Sequence, residues 1–190
     1  MVIIFEGPDN VGKGTQIERV VKKFTELEIP TTVVHCSNFK LEETENKTER
    51  QQGISEAFYK RIMQLINLYN EKIDGKEQVL ILDRSHLGET VYAPLYRKYS
   101  GNYVYKLEWD VKEPEKVLVL TLISDIDTLL KREDGKSFTT DVDKRKLELD
   151  AFVRAAKDTR FENSYMLNVA DKSVDEVSGT IDAIIEEVFE

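Results

Sequence analysis

Val2-Ile3-Ile4-Phe5-Glu6-Gly7-Pro8-Asp9-Asn10-Val11-Gly12-Lys13-Gly14-Thr15-Gln16 is the stretch on which the fold turns. Four apolar residues running into a glycine have the pattern of a parallel strand covered on both faces. Beyond the loop, Ile17, Val20, Val21, Phe24 and Leu27 recur at helical spacing, so a helix begins inside the loop. Strand, glycine-rich loop and helix N-terminus in that order are the context of a phosphate-binding loop. Glycines let the backbone turn its N–H groups inward around a polyanion, and the positive end of the helix faces the same point. Lys13 adds a mobile, exposed cation. The pattern G-x-x-x-x-G-K-S/T is met except at its last position, which is Gly14, with Thr15 one residue later.

The chain has 190 residues with 36 acidic and 27 basic side chains, a net charge of -9. That length suits one domain, 1–190, with a sound core. The acidic balance disfavours a protein that coats nucleic acid, while a local anion site built from backbone dipoles remains compatible with it. No apolar run approaches a membrane span, and Met1 leads into a strand rather than a signal peptide. The single Cys36 suits a reducing cytoplasm, and with His35 and His86 it does not have metal-site spacing.

Working outward, Thr31–His35, Val79–Leu82, Val117–Ile123 and Tyr165–Val169 read as further strands. Helical periodicity appears in Ile54, Phe58, Ile62, Leu65, Tyr69 and Ile73 up to Gly75. It returns after Ser85, a candidate cap, with Pro94 expected to kink or split that helix near Ala93. Ser124 with Asp127 is expected to open another helix. Leu147, Leu149, Phe152, Val153 and Ala156 mark one more, and Ser173 with Glu176 caps the last. Alternation at Tyr103, Tyr105, Leu107 and Trp109 predicts a short extra strand. About five short strands alternating with helices predict an α/β, three-layer, doubly wound parallel sheet. Its ligands sit beyond the strands' carboxyl ends. The phosphate loop, Asp83-Arg84 and Ser124 onward all leave strands at that edge.

Two segments lack periodicity. Residues 37–53, mixed in charge, read as a flap beside the acceptor, and 131–144 as a lid. Gly7, Asn10, Val11, Gly12, Lys13, Gly14 and Thr15 are the candidate donor site. Asp83, ending a buried strand, is placed to reach a phosphate-bound Mg²⁺ together with Thr15. Arg84 has the fork geometry to clamp an oxyanion. Among Lys131, Arg132 and Lys136 of the lid, Arg132 matches a transition state's spread charge best.

Phe5-Glu6-Gly7-Pro8-Asp9, Gly12-Lys13-Gly14-Thr15-Gln16 and Asp83-Arg84-Ser85 resemble nucleoside monophosphate kinases of the P-loop superfamily, thymidylate kinase most closely. The resemblance implies the three-layer P-loop NTPase fold and transfer of the γ-phosphoryl of ATP, with Mg²⁺, to a (deoxy)nucleoside monophosphate such as dTMP. It implies that Asp9 approaches the acceptor's sugar 3′-hydroxyl and that Arg84 and Arg61 hold its phosphate. Phe58 would stack on the base, though its place on an apolar stripe equally allows core packing, and Tyr92 joins the acceptor side. By the same analogy the protein is a homodimer. Ser37-Asn38-Phe39-Lys40 stands where the family has Arg-Glu-Pro-Gly, the lid lacks the usual arginine pattern, and 100–110 reads as an insertion. Alternatives are a deoxynucleoside kinase using the strand-end carboxylate as base, a kinase of a hydroxymethylated base in DNA, and a nucleotide-binding regulator without turnover.

Overall fold

Every residue of Val2–Glu6 (β1) is buried, because the strand lies at the centre of the sheet and is covered on both sides. In the computed structural model, which describes residues 1–36, 47–71, 76–135 and 137–189, β1 is joined by Thr31–His35 (β2), Val79–Asp83 (β3), Val117–Ile123 (β4) and Ser164–Asn168 (β5). The order is β2-β3-β1-β4-β5, and all four pairings are parallel. This is the predicted α/β architecture.

The period of two along β1 divides the core. Ile3 and Phe5 face Lys13–Glu26 (α1) and Val174–Phe189 (α7), where Ile17, Val20, Phe24, Val177 and Ile181 pack. Val2 and Ile4 face the other layer, built with Lys47–Asn70 (α2), Leu87–Tyr92 (α3), Val104–Leu107 (α4) and Val142–Asp158 (α6). Removing Val2, Ile3, Ile4 and Phe5 from water stabilises the fold by roughly 6–12 kcal/mol before the cost of ordering the chain. Ile126–Lys131 (α5) follows β4. Among the described residues no helix is long and apolar enough to cross a membrane.

Some local expectations are corrected. The alternating stretch 103–109 is not a strand: Val104, Leu107 and Val111, spaced by three and four, are buried as a helical turn would bury them. The segment is tied down by Glu108, which accepts hydrogen bonds from His86 Nε2 (2.7 Å), Thr159 Oγ1 (2.6 Å) and the Arg160 amide (2.9 Å). Pro94 does end α3 regularly at Tyr92, and Ala93–Arg97 continues as one π-helical turn. Ser85 does not cap α3, its hydroxyl lying against His86 Nδ1 at 3.2 Å instead. Asp125, not Ser124, caps α5, with Oδ1 accepting from the Thr128 amide at 2.7 Å. The Ser173–Glu176 capping box of α7 forms as expected.

Two helices are rotated from the predicted stripes. On α2 the buried line runs through Gln51, Ser55, Tyr59, Ile62, Met63, Ile66 and Asn70, while Ile54 is exposed and Phe58, Leu65 and Tyr69 are half-buried. On α6 Arg145, Glu148, Phe152 and Ala155 face inward and Leu147 faces out. Residues 47–53 of the expected flap form the first turns of α2; 37–46 lie outside the described residues, as do Ile73 and Gly75.

Candidate active site

Gly7 has φ 134°, and a Cβ there would stand 2.2 Å from the Leu122 carbonyl oxygen, so the loop leaves β1 pressed against β4. Gly12, at φ 98°, turns the chain into α1. No side chain caps α1 and its first turn holds no acid. Its orphan N–H groups and positive dipole end are thus left for an anion. Lys13 is not the exposed cation expected: its side chain is buried, and Nζ donates to the carbonyls of Gly7 (2.9 Å) and Pro8 (2.7 Å). Burial, then the nearby Arg84 guanidinium, lowers its pKa to about 7. A polyphosphate would replace those carbonyls and restore the charge.

A cavity opens beside the loop on the β4–β5 side. Thr15, Arg132 and Lys172 give it polar and cationic groups, and Val169, Val174 and Val177 give it apolar wall. Arg132, the residue after α5, therefore stands on the wall of this cavity. Lys172 and the valines after β5 were not singled out in the sequence, where nothing but their place at a strand's carboxyl end marks them.

On the other side, Arg84 follows β3 in the left-handed region, φ 65°. Its amide donates to Phe5 O at 2.8 Å, and its guanidinium donates to Gly7 O (3.2 Å) and the Tyr92 hydroxyl (3.1 Å) and pairs with Asp9. The turn is clamped by Glu6, a fully buried carboxylate whose Oε1 accepts from the amides of Ser85 (2.9 Å) and Gly88 (3.2 Å). Burial pushes the Glu6 carboxyl above the usual range. Asp83 is half-buried, with Oδ2 2.7 Å from His35 Nδ1. Tyr92 is buried among Tyr96, Phe138 and Phe152. The structure therefore gathers Asp9, Arg84 and Tyr92 into one group. Phe58 packs partly against the core, edge-on to Tyr59 at 5.3 Å. Arg61 is exposed and donates to Gln64 of its own helix at 2.8 Å rather than to any member of that group.

Glu133, Ser137 and Phe138, in the segment expected to be a lid, are tied to the loop after β1. The Phe138 amide donates to Asp9 Oδ2 at 2.8 Å, and Asn10 Nδ2 donates to Glu133 Oε2 (3.1 Å) and Ser137 Oγ (2.9 Å). Arg145 of α6, buried behind it, binds the carbonyls of Leu129 and Thr139, Ser137 Oγ and Glu133. Glu148, one turn on, accepts from Tyr96. Neither Arg145 nor Glu148 was predicted; their spacing of three with Phe152 four further on is the only sign of an inward face. Lys131 is exposed, and Lys136 lies outside the described residues.

Among the described residues no three carboxylate, histidine or cysteine groups converge as a metal cage. Mg²⁺ in phosphoryl transfer needs none, because one or two protein oxygens and the substrate phosphates hold it. Thr15, exposed on the first turn of α1, and Asp83, at the end of β3, fit that requirement.

The family model described as thymidylate kinase matches residues 5–181. The chain belongs to the thymidylate kinase family. By that membership it is a nucleoside monophosphate kinase, and the family in general works on nucleotides with Mg²⁺–ATP. Among solved structures, thymidylate kinase from Candida albicans is similar with a TM-score of 0.65 at 17% identity, covering 98% of this chain and 91% of that one. The YorR protein from Bacillus subtilis, solved in complex with phosphorylated GDP, is similar with a TM-score of 0.64 at 23% identity, covering 98% and 96%. Both likenesses are of fold. No curated protein matches this thymidylate kinase family member in sequence.

Proposed function

We propose that this protein transfers the γ-phosphoryl group of ATP to a free deoxynucleoside monophosphate, dTMP or another, giving the diphosphate. The observation that carries this reading is the Asp9–Arg84 pair at the mouth of the phosphate loop, opposite the cavity lined by Thr15 and Arg132. Donor and acceptor thus have separate places on the two sides of Lys13. The loop amides and Lys13 hold the donor phosphates, and Arg132 and Lys172, on the cavity wall, hold the donor nucleotide. Arg84 receives the acceptor phosphate, Asp9 its sugar hydroxyl, and Tyr92 fixes Arg84. Phe58 and Arg61 remain acceptor-side candidates on α2. Mg²⁺, held by Thr15 and Asp83 with the phosphates, would neutralise charge on the bridging oxygens. The acceptor phosphate is already an anion, so no general base is needed. Asp9 favours a mononucleotide, since a 3′-phosphodiester would be repelled, and the charge of -9 disfavours a DNA substrate. We further propose a single domain acting in the reducing cytoplasm and working as a homodimer.

ADP release from ATP, measured with a panel of nucleosides, nucleoside monophosphates and hydroxymethylated DNA, tests the reading. Turnover with one or more deoxynucleoside monophosphates is expected. Turnover with nucleosides or DNA alone contradicts it.

A further inference from the structure

The parallel register of the sheet sets Phe5, Asp83 and His35 in one row across β1, β3 and β2, at the edge where the phosphate loop leaves. His35 Nδ1 lies 2.7 Å from Asp83 Oδ2, and the Cys36 amide, next along the chain, donates to the Asp83 carbonyl at 3.0 Å. Asp83 also acts on the loop itself. Burial lowers the Lys13 pKa, and the Asp83 carboxylate is among the charges that pull it back up. The His35 side chain is 57% exposed, against 24% for Asp83.

So open a contact adds little to the stability of the fold, since water screens it and ordering two side chains costs entropy. Its place gives it another use. A carboxylate turns broadly about its terminal bond, and each orientation offers its oxygens differently. An ionised carboxylate only accepts, so Nδ1 is the ring nitrogen that carries the hydrogen, and the bond holds Oδ2. That leaves Oδ1 for a cation or for a water bound to one. A group that holds the far atom of a metal ligand in this way fixes the ligand's angle and raises its affinity for the metal.

Resting on the reading above, in which Asp83 and Thr15 hold Mg²⁺ with the phosphates, we propose that His35 is a positioning residue for the metal site, its Nδ1–H orienting the Asp83 carboxylate. His35 acts through Asp83 alone. It ends the edge strand β2, and Asp83 ends β3 beside it, so the register of two paired strands sets their approach. A ligand oriented from a strand is held more closely than one oriented from a loop.

The test uses Mn²⁺ as a paramagnetic substitute for Mg²⁺, with a non-hydrolysable ATP analogue. Electron paramagnetic resonance reads the dissociation constant of Mn²⁺ from the enzyme–analogue complex in the wild type, His35→Phe, His35→Asn and Asp83→Asn. His35→Phe should weaken Mn²⁺ binding about tenfold, while metal-free analogue binding and the melting temperature stay as in the wild type. The Mg²⁺ concentration that gives half of kcat should rise with it. His35→Asn, whose amide N–H can take the place of Nδ1–H, should recover most of the loss. Asp83→Asn should weaken Mn²⁺ binding at least as much as His35→Phe. Unchanged Mn²⁺ affinity in His35→Phe, with Asp83→Asn weakened, overturns the inference and leaves the metal reading standing. So does an equal loss in His35→Phe and His35→Asn, because the N–H donor would then not matter. Unchanged affinity in Asp83→Asn removes Asp83 from the metal, and the inference falls with that reading.

Discussion

Asp9 of the phosphate loop and Arg84 at the end of β3, 75 residues apart, form an ion pair that is about four-fifths buried, and the second oxygen of Asp9 holds the Phe138 amide of the lid. One carboxylate thus links Arg84 to Phe138. Asp9→Asn keeps the shape and removes the charge. It should raise KM for the monophosphate on the order of tenfold or more and increase protease cleavage between 132 and 141, with KM for ATP little changed. Unaltered acceptor kinetics would remove Asp9 from the site.

Lys13 is buried against two carbonyls with a pKa of about 7, while in the unfolded chain it titrates near 10.5. Between those values the unfolded state holds the proton and the folded state has released it. The group's burial penalty is therefore full below about pH 7 and relieved as pH rises. A bound polyphosphate raises the pKa again, so ATP binding at pH 8 should take up about one proton. Calorimetry in buffers of different ionisation enthalpy reads this number. Lys13→Met should abolish both the uptake and phosphoryl transfer; equal uptake in the variant would contradict the assignment.

Arg132 stands on the wall of the cavity beside Thr15. Arg132→Ala should raise KM for ATP about tenfold or more with a smaller change in kcat. A roughly thousandfold fall in kcat at unchanged KM for ATP would instead give it the transition-state role expected from its place in the lid sequence.

Arg145 is a buried anchor for the segment expected to be a lid, holding two carbonyls, Ser137 and Glu133 from behind. Arg145→Met should lower kcat by on the order of a hundredfold, because the lid can then settle about an ångström away from its working place. Limited proteolysis should cut between 132 and 141 in the variant only. A normal kcat with an intact lid would show that α6 does not set the lid's position.

The sheet was legible because its three central strands, β1, β3 and β4, are short apolar runs, and β1 with its loop admitted one reading. The strand–loop–helix of residues 2–16 and the place of Asp83-Arg84 at the end of β3 were legible for the same reason: they are local strings at strand ends. Helical faces near the site were not. Gln51, Ser55, Arg145 and Glu148 face inward, the last three against polar side chains, so apolar periodicity pointed to Ile54 and Leu147, which face water. The stretch 103–109 misled for a related reason. Its aromatics alternate like a strand, but Val104, Leu107 and Val111 are what the core takes. Partners such as Asp9 with Phe138, or Asn10 with Glu133, join residues more than 120 positions apart and leave no local trace.

The direct test of the central claim follows the label from [γ-³²P]ATP with a deoxynucleoside monophosphate as acceptor. The account predicts label in the β position of a deoxynucleoside diphosphate, one for each ADP formed, and none in Lys13→Ala. Label on a nucleoside 5′-hydroxyl, in DNA, or only in inorganic phosphate would contradict it.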